Sequence, residues 1–347
     1  MTALLRDRTE IRSRQVDEID DGQDPPDPGI PDLSDLAPVL DPALLSAAEM
    51  AVIEMVRFDA ANPALKPLLI LAEAACSSAL DGIHATADQI ITGTLAPSAA
   101  GPDTGRILAT ALAVTRTDRG HPLLGAPGIA ELHRTITGER AALAGPGLKD
   151  LTEFMGRADM PVLAHAGLAH AHFTAAAPYA TANGRTGRAL VLAMLRAAGV
   201  TGSSLIPLSA GLAGNTRGYA WALENYRDGN PCSIVEFFTE AAFITLDNCL
   251  MLLADVNKAA EEHRVLLGRT RSPAALHIAA DLVRAPALTA ATAMAVSGCS
   301  ESAAYRALDQ LTAAGILAPA PKARGTLAWT APRVVNALES FLSRALR

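Results

Sequence analysis

The sequence predicts a mainly α-helical protein, a large helical body followed by a small helix-turn-helix unit with a pair of strands. Three observations predict it. Apolar residues recur at the 3.6-residue spacing of a helix in one segment after another. Alanine is abundant and aromatic residues are only 4% of the 347-residue chain, which favours closely packed helices over a β sandwich. Beyond Arg269-Thr270-Arg271-Ser272-Pro273 the pattern breaks into shorter helical pieces and two strand-like stretches. Half the chain is hydrophobic, enough for a large core and a second small domain.

Residues 1–38 form an acidic arm. The first 36 carry ten acidic residues against four arginines, so most of the formal charge of −7 lies there. The Asp/Pro/Gly-rich stretch from Asp17 to Pro31 reads as a solvated arm or a docking tail. Helices are then expected near 42–58, 65–80, 84–92, 103–116, 126–137, 148–156, 160–176, 186–199, 215–225 and 231–264. Pro63, Pro97, Pro102, Pro122, Pro127 and Pro146 mark their boundaries. In the last part Ala274–Arg284 and Thr289–Val296 read as helices, and Ser300 caps a third over Glu301–Ala314. Gly315–Pro319 and Gly325–Trp329 read as two strands. No solenoid-length repeat is visible.

Cys76, Cys232, Cys249 and Cys299 have no metal-ligand spacing and read as buried thiols of a reducing compartment. The N-terminus alternates charge with short apolar runs, unlike a secretory leader. Apolar stretches such as Leu68–Leu80 are short and interrupted by Glu73, so no membrane span is expected and a cytoplasmic location is. The alanine content suggests a high-GC bacterium.

The chemistry concentrates at Asn183-Gly184-Arg185-Thr186-Gly187-Arg188, which opens an apolar helix. Two glycines around an Arg-Thr pair allow backbone dihedrals closed to other residues, so N–H groups can converge on one anion. The following helix adds its positive end, and Arg185 and Arg188, one turn apart, can reach the same polyphosphate. An ordinary glycine turn, capped by Asn183 and carrying two solvated arginines, accounts for the same residues.

The longer stretch His170–Arg188 resembles the signature of the Fic (Fido) family, H-P-F-x-D/E-G-N-G-R-x-x-R preceded by H-x-x-F. Pro178, Asn183, Gly184, Arg185 and Arg188 match, as do His170 and Phe173. Ala177 stands at the motif His, Tyr179 at the Phe, Thr181 at the acidic residue and Ala182 at the first Gly. Upstream, Ser77-Ser78-Ala79-Leu80-Asp81-Gly82, followed by Ile83-His84-Ala85-Thr86, resembles the family's inhibitory helix, with Asp81 in place of Glu. There the acidic side chain pairs with the second motif arginine, here Arg188, and blocks seating of the nucleotide γ-phosphate. Asp81 is one methylene shorter than the Glu it replaces. Ile129–Arg134 resembles the helix before the family's target-binding flap. The 27 residues Thr135–Pro161, broken by Gly138 and Gly145-Pro146-Gly147, read as a shortened or lost flap. Leu205–Ser209, Tyr219 and Leu223 resemble the segment after the core. The last part, Ser300–Leu317 above all, resembles the winged helix-turn-helix domains that often end Fic proteins.

The resemblance implies a Fic-like helical core with a C-terminal winged helix: a helical region over 39–125 with the inhibitory-type helix (Ser77, Asp81, Gly82), the core over 126–265, and the winged helix over 273–347. Family members mostly transfer AMP from ATP to a protein hydroxyl. That needs a base, and Ala177 cannot accept a proton. It needs magnesium held by a carboxylate, and Thr181 offers one neutral oxygen, so magnesium is a poor expectation. Ala182 adds a Cβ where the backbone bends. His165, His170 and His172 read as packed histidines, and Tyr179, with an ordinary pKa of about 10, is a weak base.

No catalytic or metal-binding residue is therefore assigned. Asn183, Gly184, Arg185, Gly187 and Arg188 are expected to bind a nucleotide such as ATP. The leading expectation is a degenerate Fic-family regulator that binds a nucleotide or a protein. The alternatives are a nucleotidyl or phosphoryl transferase with a relocated base, and a DNA-binding regulator acting through 273–332. Geometry would let helix Glu301–Ala314 enter a major groove, but it offers only Arg306 against Glu301 and Asp309, and the wing only Lys322 and Arg324. Packing on the core and a homodimer through this unit are the other readings of the same residues.

Overall fold

The computed structural model describes Leu33, residues 40–140 and 148–268, Thr270, and residues 272–347. Leu33 aside, the expected acidic arm through residue 38 lies outside the described residues, as do Gly145-Pro146-Gly147, Arg269 and Arg271.

Prolines and polar caps start the helices of the body. Asp41 accepts from the Ala43 amide and Pro42 opens α1 (Pro42–Ala61). Pro67 sits in the first turn of α2 (Lys66–Ala79). Thr86 and Gln89 form a reciprocal capping box on α3 (Ala87–Gly93), which is why that helix begins three residues later than its apolar spacing suggests. Pro102 and Pro127 lie in the first turns of α4 (Pro102–Arg116) and α5 (Ala126–Thr137), and left-handed Gly138 ends the latter. Then come α6 (Leu148–Met155), α7 (Val162–Ala176) and α8 (Asn183–Ala197). After them lie the short α9 (Ser209–Ala213), α10 (Thr216–Arg227), capped by Asn215, and α11 (Cys232–Leu267). Among the described residues of 135–161 there is no strand.

α11 is the spine. Its 36 residues pack against α1, α7, α9 and α10, burying Ile234, Val235, Phe238 and Leu252. It is long and apolar enough to cross a membrane, which the sequence expectation missed, and half of its most apolar window is buried within the fold. α9 approaches it so closely that a Cβ on Gly211 would lie 2.1 Å from the Ala241 carbonyl oxygen, so that position requires glycine.

The C-terminal unit comprises α12 (Pro273–Asp281), β1 (Ala287–Thr289), α13 (Ala290–Ser297), α14 (Glu301–Ala313), β2 (Ala318–Ala323), β3 (Thr326–Thr330) and α15 (Pro332–Ala345). The sheet is antiparallel in the order β1-β3-β2, with Leu288 and Pro319 both opposite Trp329. Arg324 and Gly325 take positive φ at the hairpin turn, as tight two-residue turns need. Thr289 caps α13 instead of beginning it, and Ser300 precedes α14 without a backbone cap, its Oγ lying 3.3 Å from that of Ser302. β1 and α15 go beyond the sequence expectation.

α15 fastens this unit to the body. It packs on α11, α2 and α3 with Leu338, Phe341 and Leu342 buried. Glu339 accepts from the Ala87 amide at 2.7 Å, and Arg344 donates to Asn248 at 2.7 Å. The β2–β3 wing also lies on the body: Ala323 and Ala328 pack with Ala96, and Arg324 donates to Ser98 Oγ at 3.0 Å.

All four cysteines are free; Cys76 and Cys249 are buried as expected, whereas Cys232 and Cys299 are only partly so. Buried carboxylates brace the loops around α8. Asp59, near the end of α1, accepts from the Gly202, Ser203 and Ser204 amides at 2.8–2.9 Å. Asp59→Ala strands three inward-facing amides and is expected to lower stability by about 3 kcal/mol. Urea denaturation read at one wavelength on both proteins checks this.

Candidate functional site

The site forms where α2, α7 and α8 meet. α7 ends at Ala177, whose backbone is left-handed (φ 41°, ψ 56°), and the loop 178–182 closes at Ala182, also left-handed (φ 59°, ψ 20°). Each alanine accepts a strain of about 1–2 kcal/mol that glycine would avoid. Asn183 holds the loop in place. Its Oδ1 accepts from the Tyr179 amide and its Nδ2 donates to the Tyr179 carbonyl, so it is the first helical residue of α8 and not a cap. His133 of α5 braces the loop from the other side, stacking on Tyr179 with ring centroids 3.7 Å apart and donating from Nε2 to the Thr181 carbonyl at 3.1 Å.

The glycines act differently from the sequence expectation. Gly184 and Gly187 lie inside α8, which starts three residues earlier than expected, and neither has a positive φ. Their missing Cβ atoms make space. A Cβ on Gly184 would sit 2.9 Å from Asp81 Oδ1 and 2.8 Å from Arg188 Nη1; one on Gly187 would sit 3.0 Å from His170 Nδ1 and from Phe173.

That space admits Asp81. It follows α2 in a turn ended by left-handed Gly82, one helical turn beyond Ser77 and on the same face. Arg188 donates from Nε to Ser77 Oγ at 2.8 Å, and from Nη2 to the Ser77 carbonyl at 2.6 Å and Asp81 Oδ1 at 2.8 Å. Arg185 donates from Nε to Asp81 Oδ2 at 2.9 Å. One carboxylate thus bridges both arginines, and the shorter side chain reaches because Gly184 leaves its path open. The Arg188 side chain is 4% exposed and Arg185 11%, so neither is the solvated arginine of the glycine-turn alternative.

A second layer surrounds Arg188. Tyr219 lies against Arg188 and its hydroxyl meets His170 Nε2. Burial, with Arg188 adding to it, pushes the His170 imidazole down to about 3, so it is neutral. Glu73, one turn before Ser77, accepts from the Ser209 amide and hydroxyl, and burial holds its carboxyl above the usual range. Sequence reasoning missed His133 and Glu73 as parts of this assembly. A histidine on the flank of an expected helix and a glutamate breaking an apolar run were the only signals.

The proton-transfer inventory is short. Ala177 presents a methyl group. His165 is bonded to the Phe154 carbonyl and His172 to the Tyr226 hydroxyl, both inside the core. Burial pushes the Tyr179 hydroxyl up to about 12. The donors also fit magnesium poorly: both Asp81 oxygens hold guanidinium groups, the Thr181 carbonyl holds His133, and the Thr186 hydroxyl donates to the Ala182 carbonyl. Among the described residues no three His, Cys, Asp or Glu side chains cluster as metal ligands. The donors that suit an anion are the first amides of α8, which begins without a side-chain cap, and the two guanidinium groups that Asp81 holds.

No family model and no curated protein matches the sequence. Among solved structures, the fold is similar to a crystal structure of a Fic family protein from Desulfovibrio desulfuricans G20. The TM-score is 0.53 at 14% identity, over 85% of this chain and 98% of that one. The chain therefore has a mainly α, Fic-like fold, consistent with a winged helix in its C-terminal part.

His170 sets the response to acid. Its native pKa lies far below the ordinary histidine value of about 6.5, so the unfolded chain binds the extra proton first. Full stability holds above pH 6.5 and is lost as pH falls from there towards 3, by about 1.4 kcal/mol per pH unit from this group. The buried His133, His165 and His263 are shifted in the same direction and add to the slope. Urea midpoints between pH 7.5 and 4.5 measure it, and His170→Gln is expected to flatten the curve.

Proposed function

We propose that this protein is a degenerate member of the Fic family, without AMP-transferase activity, that acts as a regulator binding a nucleotide or a protein partner at α8. The observation that carries this reading is the Asp81 carboxylate seated between Arg185 and Arg188, above a loop with alanine where proton transfer needs a base. Such a site keeps an anion cradle and lacks the means of transfer.

The chemistry of binding follows from that arrangement. A phosphate entering at the N-terminus of α8 competes with Asp81 for the same guanidinium donors. Binding is therefore weak while Asp81 is in place and strengthens when it leaves. The loop is tied by its backbone to Asn183 and His133. Magnesium, if brought by the nucleotide, has no carboxylate to receive it.

Transfer by a relocated base finds little support, because His165, His170 and His172 lie inside the core and burial holds His133, His165 and His170 below the ordinary imidazole range. DNA binding is weakened by the fate of the cations. Arg324 is spent on Ser98, and Arg333 on Glu262 and the Gly315 carbonyl, which leaves Lys322 alone on the wing, Arg284 beyond α12, and Arg306 beside the acidic Glu301 and Asp309 on α14. The small unit serves better as a docked module.

Calorimetric titration with ATP tests the cradle. Asp81→Ala should bind at least about tenfold more tightly than the wild type, and adding Arg185→Ala should abolish the gain. Equal affinity in all three proteins would sink the nucleotide reading. In parallel, labelled ATP with magnesium should leave no AMP on Asp81→Ala or on lysate proteins; a covalent adduct there would overturn the loss of activity.

A further inference from the structure

A second cavity, away from α8, opens between the body and the segment that follows α12. It has a volume of about 720 Å³ and is walled by α2, α3, α4 and the segment Arg284–Ala287. That size lies within the roughly 300–1,000 Å³ range of small-molecule sites. Ile70, Leu71, Ile91, Leu108 and Leu112 supply an apolar wall.

The polar groups in that wall are already satisfied. Thr94 Oγ1 donates to the Ile91 carbonyl at 2.6 Å, Thr115 Oγ1 donates to the Ala111 carbonyl at 2.9 Å, and Ser98 Oγ accepts from Arg324. Arg284 is different. It lines the cavity and is exposed, and its guanidinium has no hydrogen-bond or ion-pair partner among the described residues. A neighbouring cavity of about 820 Å³ also touches Arg284, but it contains Asp281 and His277 and so offers an anion a carboxylate to repel it.

An apolar chamber with one uncommitted cation at its mouth matches an amphipathic anion. We infer that this cavity binds a medium-chain carboxylate of about eight to twelve carbons, its chain between α2 and α4 and its head on Arg284. The apolar wall selects chain length, and Arg284 selects the charge of the head group. This inference is independent of the proposed role of α8.

Calorimetry on the full chain with decanoate, decanol and decyltrimethylammonium, each below its micelle threshold, tests it. Decanoate should bind about tenfold more tightly than decanol, and the cation should not bind. Octanoate should bind about fourfold more weakly per methylene removed. Arg284→Gln should erase the preference for the acid. Gly105→Leu should weaken binding by narrowing the chamber; a Cβ at Gly105 meets nothing within 4 Å, so the new side chain starts in open space. No decanoate binding by the wild type, equal binding of the cation, or undiminished binding by Gly105→Leu would each overturn the inference.

Discussion

Everything at the centre of this molecule depends on one carboxylate. Asp81 sits at the end of α2 and holds two guanidinium groups from the first turns of α8, one of them on a side chain almost wholly removed from water. A buried guanidinium without a counter-charge is costly, on the order of 3–5 kcal/mol when its partner is removed. The Asp81–Arg188 contact therefore sets how α2 and α8 meet. Ser77, Gly184 and Tyr219 are arranged around it, and Arg188 adds to the burial that keeps His170 neutral. Through α2 the same constraint reaches α9 by way of Glu73 and Ser209, and α15 by direct packing.

The loop before α8 shows a different economy. Two alanines occupy left-handed backbone positions at Ala177 and Ala182, and the strain persists because Asn183 and His133 over-determine the path between them. The backbone of this loop is thus fixed by contacts from two helices, α5 and α8, while Ala177 contributes only a methyl group to it.

The meeting of Arg188 with Asp81 was legible in the sequence because its parts are chemically distinctive: arginines one turn apart, small residues between them, and Ser77 and Asp81 at helical spacing. The helices were legible for a similar reason, since prolines and caps punctuate strong apolar periodicity. What the glycines do was not. Spacing suggested unusual backbone angles, whereas the structure uses Gly184 to admit Asp81 and Gly187 to admit His170, and a void left for another segment has no local signature. His133 and Glu73 were hidden because their partners, Thr181 and Ser209, are distant in sequence and lie on separate elements. α15 and its cap from Glu339 to the Ala87 amide are hidden likewise, being contacts across 252 residues of chain. α9 has five small or apolar residues and too little length to show a period.

The central claim is that Asp81 and Arg188 act as one unit that joins α2 to α8. A double-mutant cycle tests it most directly, with Asp81→Ala, Arg188→Met and the pair compared by urea denaturation. The account predicts a coupling of about 2 kcal/mol or more, the double variant being far less destabilised than the sum of the singles. Additivity within about 0.5 kcal/mol would contradict it.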